Sequence, residues 1–200
     1  MRVTIHQPQF LPWLGYLDKI DQADLFIALD SVQFKKNEWQ NRNRIRTASG
    51  CQWVTVPVLH RFGQLVKDVQ VNQTVNWQRQ HRHAIEMHYA QAPFRDRYLP
   101  ELLSLYAMPW ERLHELNMRV IRWLLEAYGI TTPVRCASEW EAREEPTDRL
   151  IDLCRAVGAS GYLSGPGGEQ YLDVMRFDSS GLKLEMQQFH HPIYRQVYEP

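Results

Sequence analysis

VTIHQPQFLPWLGYLDKIDQADLFIAL, residues 3–29, is the stretch whose pattern decides the fold. Residues 3–5 are a short β-branched run closed by His6-Gln7-Pro8, and they read as a first, buried strand. Past a turn rich in proline and aromatics, Leu14, Leu17 and Ile20 recur at helical spacing. Residues 23–29 then form a continuous apolar run of strand length that ends at Asp30. Strand, short helix, strand is the opening of a βαβ unit, whose strands pair in parallel.

Working outward, the pattern changes after Asp30. Two extended runs, NRNRIRT and QWVTVPV, flank Ala48-Ser49-Gly50 and predict a β-hairpin, with a further short strand expected at 66–71. Three helices are expected next, over 77–89, 96–106 and 111–128. The second is expected to break or kink at Pro100, and the third to stop at Gly129. The last third returns to alternation: a strand at 133–137, a helix at 147–157 with Thr147 as N-cap, a strand at 161–164, a helix opening at 167–174 and a strand at 182–188. The expected fold is therefore α/β: a mostly parallel, Rossmann-like sheet with a β-hairpin and an inserted helical segment. No repeat, low-complexity stretch or charged tail divides the chain, so residues 1–200 are expected to form a single domain.

The totals narrow the class of partner. Twenty-three basic residues balance 23 acidic ones. Phosphate contacts dominate nucleic-acid affinity, so a neutral total argues against a general DNA or RNA binder. Three distant cysteines, Cys51, Cys136 and Cys154, suit thiols in a reducing compartment. No leader pattern and no run near the ~18 apolar residues of a membrane span are visible, so a cytoplasmic protein without membrane insertion is expected.

Four loops hold the candidate chemistry. Residues 33–46, QFKKNEWQNRNRIR, set Lys35, Lys36, Arg42, Arg44 and Arg46 against Glu38 alone, with amides from Gln33, Asn37, Gln40, Asn41 and Asn43. Arginine forks grip carboxylate or phosphate bidentately and lysine adds a point charge. On a strand, Arg42, Arg44 and Arg46 share one face and Asn41 and Asn43 the other. The bland reading is a solvated hairpin face, but the cluster follows the carboxyl end of an apolar strand, where α/β sheets bind ligands. Ser164-Gly165-Pro166-Gly167-Gly168, between strand and helix, is either an anion cradle or a tight turn. The first loop offers His6 and Gln7 at a strand end, and Trp13 and Tyr16 as ring-stackers or as cover for the sheet. Asp30 is a candidate carboxylate or a cap. His191, in the late HHP run, is a candidate base alongside His6.

Other constellations fail. His81, His83 and His88 share one helix, but no two are four apart as a zinc helix requires, and a solvated face is the expected reading. There is no G-x-S-x-G elbow. No tightly bound metal is expected.

Taken together, QPQFLPWLGYLDKI (7–20), ADLFIALDSVQFKKNEWQNRNRI (23–45), WVTVPV (53–58), YLSGPGGEQYLD (162–173) and HHPIYRQ (190–196) resemble the WbqC-like family across essentially the whole chain. Chains of that family usually continue a few dozen residues further, so the resemblance implies that the last family element is missing here. It also implies a role in cell-surface polysaccharide biosynthesis, hence nucleotide-activated and often amino sugars as substrates. A more distant echo is with HIGH-type nucleotidylyltransferases and pantothenate synthetases. Pro12-Trp13-Leu14-Gly15-Tyr16 stands where their P-x-x-x-G-H signature would, one residue shorter and with tyrosine for histidine, which weakens any analogy to adenylyl transfer.

The resulting expectation is a transferase or ligase acting on a nucleotide-linked sugar, a small anionic substrate. Lys35, Lys36, Arg42, Arg44, Gln7, Asn41 and Asn43 would contact it, Ser164, Gly165, Gly167 and Gly168 would cradle phosphate, and Trp13, Tyr16 and Trp39 would stack on rings. His6, His191 or Asp30 would handle protons. A non-catalytic nucleotide-sugar binder or scaffold is the alternative, an RNA-binding module the third reading, and homo-oligomerisation is left open.

Overall fold

The computed structural model describes residues 1–198. The chain opens with β1 (Arg2–His6), α1 (Leu14–Asp21) and β2 (Leu25–Ala28), as the β-branched run, the helical spacing and the apolar run predict. The hairpin β3 (Arg42–Thr47) and β4 (Gly50–Thr55) follows, then β5 (Val58–Leu59) and β6 (Gln70–Val71), the latter all that is strand-like of the expected 66–71 run. Three helices come next, α2 (Trp77–His88), α3 (Arg95–Ala107) and α4 (Leu113–Tyr128). The chain closes with β7 (Val134–Cys136), α5 (Pro146–Ala156), β8 (Gly161–Ser164), α6 (Val174–Ser180) and β9 (Lys183–Met186).

Two compact units share these elements. The first is built from residues 1–7, 13–31 and 128–191, the second from 8–12, 32–127 and 192–200. The first unit contains a wholly parallel sheet in the order β7-β2-β1-β8-β9, interrupted in sequence by the long insertion after β2. Its inner strands β2 and β8 are buried at every residue and β1 at its three central ones, whereas the edge strands are half-exposed. That contrast is why residues 25–28 read as a continuous apolar run instead of an alternating one. Val3, Ile5, Leu25 and Ile27 from the sheet pack with Leu150, Leu153 and Phe177, and the ring of Tyr162 stacks on that of Phe177 at 5.5 Å.

The second unit holds the antiparallel β3–β4 pair, the small β5–β6 pair and α2 to α4. Val54, Val56, Val66, Trp77, Leu105 and Leu113 are among its fully buried side chains. No helix among the described residues is long and apolar enough to cross a membrane.

Several local expectations need correction. α3 continues through Pro100, so the break is absent there. Glu145, not Thr147, caps α5, accepting from Asp148 N at 2.8 Å with Pro146 at the first helical position, where a missing N–H costs nothing. Thr147 is buried and its hydroxyl instead accepts from Asp173 N. The glycine run after β8 forms a 3-10 turn over Pro166–Gln170, and the helix proper begins only at Val174. The solvated-face reading of the α2 histidines holds for His83 but fails for His81, which is 5% exposed and packed among Phe10, Trp77 and Tyr106. Burial there lowers its pKa to about 4. Gly129, at φ +70°, ends α4 as expected.

Candidate functional site

Numbered by their order along the chain, the five strands of the parallel sheet lie side by side as 3-2-1-4-5. In such doubly wound sheets the ligand crevice opens at the carboxyl ends of the two strands from which the chain departs in opposite directions. Here those strands are β1 and β8. That rule places the ligand end of the sheet between His6-Gln7 and Ser164-Gly165, four of the residues singled out from sequence.

His6, the last residue of β1, is half-buried and meets the ring of Tyr16 edge-on at 5.0 Å. Its Nδ1–H donates to the Gln7 carbonyl at 3.0 Å. A carbonyl can only accept, so the neutral ring carries its proton on Nδ1 and turns a bare lone pair out at Nε2. Burial, followed by the nearby charge of Lys19, lowers the His6 pKa to about 3. The ring is neutral throughout the physiological range.

Lys19 was not anticipated. It lies on the buried face of α1 together with Tyr16 and Ile20, at the i, i+3, i+4 spacing of one helical stripe, and is only 3% exposed. Its Nζ reaches the start of the glycine run, 3.7 Å from the point a Cβ on Gly165 would occupy. Desolvation brings its pKa from 10.5 down to about 7. The adjacent carboxylate, Asp18, is engaged elsewhere, accepting from Gln187 Nε2 at 2.6 Å and from Gln22 Nε2 at 2.7 Å. Among the described residues no acceptor meets the Lys19 ammonium. Gln187, also missed, is buried and ties α1 to the end of β9, donating to the Gly15 carbonyl as well as to Asp18.

The glycines of the run differ in purpose. At Gly168 a Cβ would sit 2.0 Å from Ser164 Oγ and 2.9 Å from Leu172 Cδ1, so no side chain fits. Ser164 is buried, and its hydroxyl donates to the Gly165 carbonyl, which also accepts from Gly168 N at 2.9 Å. At Gly167 a Cβ would meet open space. The run thus brings backbone close to Lys19 at Gly165 and folds tightly on itself at Gly168.

The other candidates of this unit separate by burial. Trp13 is half-exposed, edge-on to Phe189 at 5.3 Å, with its indole where a Gly15 side chain would lie. Tyr16 is buried against His6 and Phe26 with its hydroxyl donating to the Gln7 carbonyl, so its ring serves the core of this unit. Asp30 is 2% exposed and accepts from Ser138 N and Ser138 Oγ at 2.8 and 2.7 Å, the capping alternative raised for it. His191 is exposed and lies edge-on to Phe189.

The second unit carries the hairpin candidates. Arg42 stacks over Trp53 at 4.2 Å, and Arg44 lies 5.8 Å from Trp39 and 5.4 Å from Trp53. The register explains this: Arg44 faces Trp53 directly across the pair, and Arg42 is its diagonal neighbour. The amides on the other face serve as internal stitching. Asn41, 1% exposed, donates to the Val56 carbonyl and accepts from Asn37 N, while Asn43 donates to the carbonyls of Phe10 and Leu11. Lys35 and Lys36 are exposed.

The WbqC-like protein family matches residues 7–200. An uncharacterized protein of Mycobacterium tuberculosis is 34% identical over 186 residues, covering 92% of this chain and 80% of that one. No solved structure matches.

Proposed function

The chain belongs to the WbqC-like protein family, and from that premise we propose an enzyme of cell-surface polysaccharide biosynthesis that acts on a nucleotide-linked sugar or amino sugar, by group transfer or by ligating an acyl or aminoacyl unit. The observation that carries the reading is the carboxyl end of the parallel sheet, where His6 Nε2 and the Lys19 ammonium stand without partners among the described residues, the ammonium beside Gly165. Buried polar groups left open in a crevice are what a charged substrate satisfies on binding. Gln7, Ser164, Gly165, Gly167 and Gly168 are assigned to the phosphate end, and Trp13 to a ring. On the second unit Lys35, Lys36, Arg42 and Arg44 are assigned to anion contacts and Trp39 to stacking. With His6 so weakly basic, proton transfer is assigned to His191.

A thermal-shift screen against nucleotides, nucleotide sugars and acyl donors tests the reading. A ligand at 100 times its dissociation constant stabilises by about 2.7 kcal/mol. A positive melt shift with a nucleotide sugar, and a product mass once an acyl or glycosyl partner is added, are the expected results. No shift with any nucleotide sugar would sink it. The second reading, a non-catalytic nucleotide-sugar binder, is favoured by Asp30, whose two oxygens are both engaged by Ser138; it predicts the shift without the product.

A further inference from the structure

The carboxyl end of the first unit's sheet holds a cation that no acceptor among the described residues neutralises. Lys19 is almost wholly buried, its ammonium rests against Gly165, and no carboxylate among the described residues reaches it. Of the titratable groups around it, His6 from β1 couples to it electrostatically, and Tyr16 and Asp18 stand on its own helix. Ser164 and Gly165 at the end of β8 and Gln187 at the end of β9 carry no charge, and Asp18 on its own helix is held by two amides. A buried charge is normally paired. An anion from outside would supply that partner and hold the ammonium in its charged form.

We propose that Lys19 is the anchor for an oxyanion of the ligand, a phosphate or carboxylate group, with His6 Nε2 accepting from a hydroxyl or amine carried next to that group. The second half follows from the tautomer. Nε2 has a lone pair and no proton, so it repels a bare phosphate oxygen and welcomes an O–H or N–H. The ligand class is thus an anion with a neighbouring hydrogen-bond donor. This deepens the function proposed above and rests on the same crevice, yet it concerns a single side chain and is separable from it.

Protonation is coupled to this binding. An anion beside Lys19 favours its charged form, so the ligand takes up a proton with it whenever the pH is near or above the midpoint of the free protein, about 7. Across that midpoint the charged fraction falls about tenfold between pH 6 and pH 8. Sulfate and acetate do not titrate in that range and serve as probes for the two oxyanion classes.

The experiment follows the 13Cε resonances of the five lysines through pH titrations with and without saturating sulfate or acetate, with Lys19→Met assigning the Lys19 signal. The expected result is a Lys19 midpoint near neutrality that rises by a unit or more with one of the probes, and an affinity for that probe about tenfold weaker at pH 8 than at pH 6. Lys19→Met should weaken binding at least tenfold and flatten the pH profile. Lys19→Arg, charged at every pH, should bind with a flat profile. A Lys19 midpoint unmoved by both probes, or an affinity and pH profile unchanged in Lys19→Met, overturns the proposal. If a nucleotide sugar binds with the same pH profile in wild type and Lys19→Met, this inference falls while the proposed substrate class stands. If sulfate moves Lys19 but no nucleotide sugar binds, the reverse holds.

Discussion

Two cationic regions invite comparison, the hairpin of the second unit and the single lysine of α1. The hairpin segment concentrates five cations in fourteen residues, and Arg42 and Arg44 disperse their charge over the faces of Trp53 and Trp39. Lys19 is one cation in a helix of eight residues, and among the described residues no aromatic face and no carboxylate meets its ammonium. Charge density along the sequence is thus a poor guide to the cost of charge. A guanidinium stacked near solvent keeps much of its hydration, whereas an ammonium under the sheet crevice loses nearly all of it. The isolated, expensive charge is the more informative one, because something must repay its desolvation.

The sharpest way to break this comparison is Lys19→Met. The folded pKa, about 7, lies below the ordinary 10.5. Between those values the unfolded chain binds the extra proton, so stability rises with pH across the window. Below pH 7 the full cost of the buried ammonium is present. Methionine of similar length removes it, and the variant should be more stable than wild type at pH 6 by on the order of 4–5 kcal/mol, at about 1.4 kcal/mol per unit. The advantage should shrink steadily toward pH 10. Urea midpoints of both proteins at pH 6 and pH 9.5 measure it. A variant less stable than wild type at pH 6 would mean that Lys19 is paired after all.

A smaller effect separates the glycines of the same crevice. Gly168→Ala forces a methyl into Ser164 Oγ and Leu172, and should cost about 1–3 kcal/mol as the turn repacks. Gly167→Ala meets open space and should stay within about 0.5 kcal/mol of wild type. Melting temperatures of the pair decide it; equal losses would place the constraint in the backbone of the turn and not in the contact with Ser164.

How much of this was legible in the sequence depends on what each residue type reveals. The opening strand–helix–strand showed itself because residues 3–5 and 25–28 are buried on both faces and so lack alternation. The carboxyl-end loops at His6-Gln7 and Ser164-Gly165 followed from that topology. Lys19 did not, since a lysine in a short amphipathic helix reads as a solvent-facing residue; its place in the Tyr16–Ile20 stripe was the available signal. Asn41 and Asn43 misled in the opposite sense. A sequence displays donors but not the acceptors they meet, which here are the carbonyls of Val56, Phe10 and Leu11, between 15 and 33 residues away. Trp53 was read only as part of a strand, because its partnership with Arg42 and Arg44 exists only once the hairpin register is set.

That partnership supplies the smallest and most selective prediction. A cation over an indole at an exposed position contributes about 0.5–1 kcal/mol. A double-mutant cycle of Arg42→Ala and Trp53→Ala, read by urea unfolding, should give a coupling in that range, because the two side chains are in contact at 4.2 Å. The coupling should persist in high salt, since the stacked faces also exclude water, whereas the anion contacts proposed for the same arginines would weaken as salt screens them. A coupling near zero would leave Arg42 as free to meet a ligand as Lys19, and the contrast between a stacked cation and an unanswered one would lose its physical basis. A coupling of full size would assign Trp53 the task of holding the arginines extended along the hairpin, and with it the orientation of any phosphate they grip.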